Sequence, residues 1–429
     1  MSNKTRGMMC FFGYAINMGS TAIVSSIVVL TMLTLTQTIG CTMVQASANF
    51  SFLSAGCLVA TLFAGSLFSK YNPKIIAFIG AIPILLFTGA IGLGLNIYII
   101  WATSFLFGIG VTLNAQTAGT ILITQWFSKG TGTLLTSAYT IRSLMSSIAT
   151  PIVASMIAAS GLISVFHVGI ILFAMTSLSS FLLYQKFPAA YGMKPATFGK
   201  DKPEKKVRKK LEVYEAAMPI NRIVKMPIFW LALLCPLFAT LSNMFLYGNI
   251  SFIFQDMGID LVGVGFMISL INIGMMVSAP LFGFLSDIVG PKWGITVYAG
   301  ICGLLYFGFS LLTGYTGAVI LVVLYTATVY GNYYGALMMP VLFGVKKSPK
   351  LISWSQTANS LGTVIAPPVA ATLAQASGGF VMPIAIGGFL MILLIIFTHK
   401  IAGQKSRERM IKIDKPYKEQ ELGFAAATI

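Results

Sequence analysis

The chain is poor in charge, and poorest in acid. Only 9% of its 429 residues are charged, 11 of them Asp or Glu, and none precedes Asp201. A soluble domain carries about 25% charged residues, so these charges are too few to cover a water-facing surface. A soluble enzyme and a disordered chain are therefore excluded. Cysteine is also scarce: five residues, scattered, with no metal-ligand spacing. That excludes a disulfide scaffold, and no metal site is expected. No Gly-x-x-x-x-Gly-Lys-Ser/Thr run occurs, which argues against ATP-driven pumping. No catalytic constellation and no cofactor motif are present, so the chain does not read as an enzyme. The period-two alternation of a membrane barrel is missing too.

What the chain does have is apolar length: 56% hydrophobic residues and a mean hydropathy of +0.86. About 20 apolar residues cross a bilayer as a helix. Twelve runs qualify: 9–36, 43–68, 74–94, 97–125, 133–158, 162–185, 228–254, 262–285, 294–313, 317–343, 352–376 and 380–399. The expected fold class is an all-α integral membrane protein with twelve transmembrane helices, its partner the lipid bilayer. Met1–Gly7 is short and basic and the first run is too long for a cleavable signal peptide.

The formal charge of +17 now reads as topology. Lys4, Arg6, Lys70, Lys74, Lys129, Lys292, Lys346, Lys347, Lys350 and the two clusters at 186–225 and 400–418 all fall on one side of a twelve-span arrangement. The opposite loops, such as 37–42 and 255–261, contain no Lys or Arg. The positive-inside rule puts both termini in the cytoplasm of a multi-pass plasma (inner) membrane protein. Basic residues lying between apolar spans do not indicate nucleic-acid binding.

The longest polar interruption divides the chain. The expected units are a six-helix bundle over 1–188, a basic cytoplasmic linker over 189–227, a second six-helix bundle over 228–402 and a cytoplasmic tail over 403–429. The halves repeat each other. Gly65-Ser66-Leu67-Phe68-Ser69-Lys70-Tyr71-Asn72-Pro73-Lys74 follows the second span, and Gly283-Phe284-Leu285-Ser286-Asp287-Ile288-Val289-Gly290-Pro291-Lys292 follows the eighth. Arg142-Ser143-Leu144 aligns with Asn359-Ser360-Leu361 at nearly the same offset, and Ala159-Ser160-Gly161 with Ala376-Ser377-Gly378. Parallel six-plus-six repeats are a common plan of secondary transporters, which bind substrate near the midplane between the halves.

On these residues the sequence resembles the major facilitator superfamily. Gly283-x-Leu285-x-Asp287-x-x-Gly290-Pro291-Lys292 looks like its loop signature, with Ser69 and Asn72 replacing the Asp and the second Gly in the first half. Trp126-Phe127 followed by Gly130 and Gly132 is similar to a motif of the oxalate/formate antiporter and monocarboxylate transporter branch. That likeness implies transport of small organic anions by two pseudo-symmetric bundles. Oxalate-type members place cations in spans eight and eleven. Here Ala279-Pro280 stands in span eight, and Leu351–Ser377 contains no Lys or Arg. The resemblance also gives Asp287, with Gly283, Gly290 and Lys292, a gating role; a plain helix-end cap is the alternative.

One cation lies inside a span. Arg142 is ten residues past Gly132, about 15 Å into the membrane at ~1.5 Å per residue, near the middle of a ~30 Å hydrocarbon core. Placing Arg there costs at least ~2.5–3.5 kcal/mol. No Asp or Glu lies within a span to offset it. A bound anion does so naturally, since the planar guanidinium grips a carboxylate bidentately. A structural Arg bonded to carbonyls, or snorkelling, is the alternative.

Tyr139 and Ser146 share the helix face of Arg142. Gln356 and Asn359, the repeat partners of Tyr139 and Arg142, are expected across the pseudo-two-fold axis. Asn114, Gln116, Asn243, Tyr247, Tyr330 and Tyr333 lie in spans four, seven and ten, which line the cavity in the resembled fold. Each has an ordinary packing or interhelix hydrogen-bonding alternative. His167 in span six could carry a proton, but span six is peripheral in the resembled fold, which favours a structural role. The expected function is secondary active transport of a mono- or dicarboxylate by alternating access, through anion exchange or proton-coupled symport, by a functional monomer without ATP. A carrier of neutral or zwitterionic solutes, with Arg142 structural, is one alternative; a transporter-like sensor or scaffold is another.

Overall fold

The computed structural model describes residues 2–129, 131–197, 216–344 and 348–426. The basic run Lys205–Lys210 lies outside these. The first half comprises α1 (Asn3–Ile39), α2 (Met43–Lys70), α3 (Pro73–Gly92), α4 (Ile97–Val111), α5 (Thr117–Trp126), α6 (Thr131–Ser160) and α7 (Ile163–Leu182). A short α8 (Ile220–Ile223) precedes the second half. That half contains α9 (Pro227–Tyr247), α10 (Ile250–Asp256), α11 (Leu261–Val289), α12 (Pro291–Phe307), α13 (Gly314–Tyr325), α14 (Tyr334–Phe343), α15 (Ser348–Ser377) and α16 (Val381–Ile401). The C-terminal segment is itself helical, α17 (Gln404–Ala426).

Among the described residues, nine helices are long and apolar enough to cross a membrane. Each of the other three expected spans falls on a helical segment with an identifiable departure. Helix α12 has only 17 residues. The tenth expected span is broken into α13, a 3-10 segment at Thr326–Tyr333, and α14. Helix α15 carries Lys350 and many small polar residues. The fourth span, expected over 97–125, is a continuous helical stretch Ile97–Trp126, but it passes through a π-helical segment at Thr112–Gln116.

Packing repeats between the halves. Helix α1 packs on α6 as α9 does on α15; α3 packs on α7 as α12 does on α16; α2 packs on α4 as α11 does on the 3-10 segment and α13. The halves meet through α6 against α11 and α2 against α15, which are equivalent pairs under the repeat. Helix α1 is buried almost without interruption from Cys10 to Leu35. A helix apolar all round belongs inside a bundle, and α1 occupies that place in the first half.

The two irregular segments are held alike. A π-turn or 3-10 stretch frees carbonyls that the regular ladder would use, and buried ones need donors. Asn17 Nδ2 donates to the Asn114 carbonyl (3.4 Å) and to Ser180 Oγ (3.0 Å), while Tyr184 Oη donates to the same carbonyl at 2.9 Å. In the second half Asn243 Nδ2 donates to the Thr328 carbonyl at 3.3 Å, and Tyr306 Oη donates to Asn243 Oδ1 at 2.9 Å. An asparagine on the first helix of each half thus secures the break in the fourth.

The described residues near both termini and at either end of the central linker mark one face, called the terminal face below; the opposite one is the distal face. Asn3 Nδ2 donates to the Lys194 carbonyl (3.2 Å), and the Arg6 guanidinium lies 4.0 Å from the centre of the Tyr191 ring. The strands β1 (Phe127–Lys129) and β2 (Ala196–Thr197) pair in parallel, tying the linker to the first half. At its other end, Ala217 N and Met218 N donate to the buried carboxylate of Asp414 on α17 (3.0 and 2.7 Å). On the distal face Asp260 caps α11, accepting from Gly263 N at 3.1 Å. Burial pushes the nearby Asp256 carboxyl above its ordinary range.

The asparagine clamps give a stability prediction. Asn17→Ala and Asn243→Ala each leave a buried carbonyl short of a donor and are expected to cost about 1–3 kcal/mol. Thermal unfolding of the purified protein measures this. Asn3→Ala, whose bond is exposed, serves as the reference, with an effect within about 0.5 kcal/mol; equal losses in all three contradict the clamp assignment.

Candidate substrate site between the halves

Helix α6 carries Arg142 toward the second half, because its neighbours α1 and α11 flank it on either side. A partly open cavity of about 50 Å³ lies there, lined by Ala22, Ser25, Ser26, Arg142, Ser143, Ser146, Tyr247 and Asn272. The lining is almost wholly polar. It draws on α1 and α6 from the first half and α9 and α11 from the second. Among the described residues Arg142 has no hydrogen-bond or ion-pair partner. A single water needs roughly 10–15 Å³ of such space, so the cavity has room for a few waters or a small anion.

Its distal floor is built. Ser146 Oγ and Ser26 Oγ are hydrogen-bonded at 3.0 Å, and Asn272 Nδ2 donates to Ser146 Oγ at 3.4 Å. Farther toward the distal face, Ser269 Oγ donates to the Ser147 carbonyl (2.6 Å), Ser251 Oγ to the Val29 carbonyl (2.6 Å) and Ser47 Oγ to Asn249 Oδ1 (2.5 Å). Among the described residues, these four inter-half bonds lie at the level of Ser146 or beyond it. Gly265 lets α11 close on α6, since a Cβ there would press into Ala154 and Pro151. On the terminal side of Arg142, by contrast, Tyr139 is 49% exposed, and Thr136, Thr140 and Gln356 are exposed as well. The distal side is sealed and the terminal side is the looser one.

A family model for the Major Facilitator Superfamily matches residues 10–343. The chain belongs to the Major Facilitator Superfamily. It is accordingly a multi-pass membrane transporter. A search of curated proteins finds no significant match.

Within this superfamily member the expected site residues fall into three groups. Arg142, Ser146 and Tyr247 share the cavity, with Tyr139 one turn toward the terminal face. A second group is engaged inside the halves. Asn114 Nδ2 donates to the Ala77 carbonyl (2.7 Å) and Ser180 Oγ (3.1 Å), and Asn243 sits among Tyr298, Tyr306 and Thr328. Asn359 accepts from Thr240 Oγ1 (2.9 Å) and donates to Gln356 Oε1 (3.3 Å). The repeat partners of Arg142 and Tyr139 are thus bonded to α9 and to each other, and neither lines the cavity. Gln116 is exposed at the end of the π segment. The third group is not placed: the side chains of Tyr330, Tyr333 and Asp287, and Gly283, lie outside the described residues. Gly290, at φ +86°, makes the turn between α11 and α12, and Lys292 Nζ stands 5.7 Å from the Trp293 ring centre.

Sequence reasoning missed Ser25, Ser26, Ser143 and Asn272. Asn272 had a signal, a lone amide between Ile271 and Ile273 in an otherwise apolar run. The serines had little, because Ser is common in spanning helices. His167 is exposed on α7, outside the cavity lining.

Cysteine labelling checks which side is open. With a charged, water-soluble maleimide, Tyr139→Cys is expected to react well above the background of the native cysteines. Val29→Cys, at a fully buried position, is expected to stay protected. Faster labelling at position 29 contradicts the sealed distal side.

Proposed function

We propose that this transporter moves a small organic anion, a mono- or dicarboxylate, by secondary active transport with alternating access. The supporting observation is Arg142: a fixed cation without a counter-charge, lining a polar cavity shared by both halves. Arg stays protonated at any physiological pH, so the cavity must stabilise its charge with water, dipoles or an anion. A carboxylate can take two guanidinium N–H bonds at once. The surrounding hydroxyls of Ser25, Ser26, Ser143, Ser146 and Tyr247, with the Asn272 amide, suit the remaining oxygens of a small polar acid. An apolar or bulky substrate finds little to contact.

The cycle follows from the same residues. The anion enters from the terminal face, which the distribution of Lys and Arg assigns to the cytoplasm of the plasma (inner) membrane. Rocking of the halves would break the floor bonds among Ser26, Ser146 and Asn272 and open the distal side. Return with an empty site leaves the guanidinium uncompensated in a closing cavity, which favours exchange of one anion for another. Proton-coupled symport would run through the carboxyl of the substrate itself, since no Asp or Glu lies within a span.

Two measurements test this. Arg142→Gln is expected to reduce carboxylate uptake in proteoliposomes to background while membrane expression stays intact; normal uptake by the variant sinks the anion reading. Preloading vesicles with the substrate should accelerate wild-type uptake at least severalfold. Strong uptake into empty vesicles driven only by a pH gradient rules out obligatory exchange.

A further inference from the structure

Tyr14 on α1 is fully buried, and its hydroxyl oxygen has no hydrogen-bond partner among the described residues. Leaving a buried hydroxyl unbonded is unfavourable, so its surroundings matter. The ring is fixed in place: it fills the space left by Gly119 on α5, where any Cβ would overlap it. The hydroxyl faces Thr120 and Tyr139 and lies within electrostatic reach of Arg142. Neither neighbouring hydroxyl meets it with hydrogen-bond geometry. Thr120 Oγ1 instead donates to the Gln116 carbonyl at 2.7 Å. Tyr139 is half exposed.

We infer that Tyr14 is an anion-positioning residue, its phenol O–H donating to the carboxylate held by Arg142 from the terminal side of the site. The inference rests on the anion reading given above and extends it to a residue of α1 that does not line the cavity. The floor residues Ser26, Ser146 and Asn272 contact the anion from the distal side. Tyr14 closes the other side. The bound anion satisfies two groups that have no hydrogen-bond partner among the described residues, the guanidinium and the phenol. Gly119 then has a functional reason to be glycine, since any larger residue displaces the Tyr14 ring.

The test uses purified full-length protein in detergent, with formate, acetate, glycolate and oxalate as probes and thermal unfolding as the readout. The wild type is expected to be stabilised by at least one of them and Arg142→Gln by none. Tyr14→Phe is expected to need about tenfold more of the same carboxylate for an equal shift, as for loss of one hydrogen bond to a charged group. Without ligand, Tyr14→Phe should unfold at the wild-type temperature or above it, because the lost hydroxyl had no partner. A lower ligand-free unfolding temperature shows a structural hydroxyl and overturns the assignment. Wild-type affinity in Tyr14→Phe, with binding lost in Arg142→Gln, overturns the role of Tyr14 and leaves the anion site standing. No shift of the wild type with any probe overturns both.

Discussion

A guanidinium that lines a polar cavity between the halves, in a chain with no acid in any expected span, sets the constraint from which the site follows. Burying such an ion alone is prohibitive. Pairing with Asp or Glu is closed to it by composition. The structure surrounds Arg142 with hydroxyls and an amide, which can solvate a cation or its anion but cannot neutralise it. A site of that kind is stabilised most when an anion is present, and this asymmetry between the loaded and empty states is what a transporter can use to couple movement to binding.

The architecture is symmetric where it is scaffold and asymmetric where it is site. Helix pairings repeat from half to half, and so do the asparagine clamps at the breaks in the fourth helix of each half. The contacts between halves, α6 on α11 and α2 on α15, obey the same relation. At the site the repeat fails: Arg142 corresponds to Asn359, which is bonded to Thr240 and Gln356. One half supplies the charge, and the other supplies Tyr247 and Asn272. On the anion reading proposed above, one bound anion would touch residues of both halves, as rocking around a substrate requires.

Much of the fold was legible from the residues. Apolar runs marked the spans, because bilayer thickness fixes how many apolar residues a helix needs. Two matching offsets revealed the repeat, and the absence of acid singled out Arg142. The site was legible only in part. Ser146, singled out for sharing the helix face of Arg142, and Tyr247, a polar residue in a span expected near the cavity, both line it. Asn114 and Asn243 satisfied the same criteria, yet they are spent on carbonyls that a π-turn and a 3-10 stretch leave free. Neither irregularity has a marker in the sequence strong enough to foresee it.

The sequence by itself determined that this is a helical membrane protein, how its halves correspond, and that Arg142 falls well inside one of its apolar spans. Those properties depend on composition and spacing along one dimension, and the transfer of each residue into lipid is nearly independent of its neighbours. Tertiary structure decided which way each helix turns. A span apolar on every side gives no cue to its orientation, so only packing could bury α1 and bring Ser26 and Asn272 beneath Arg142.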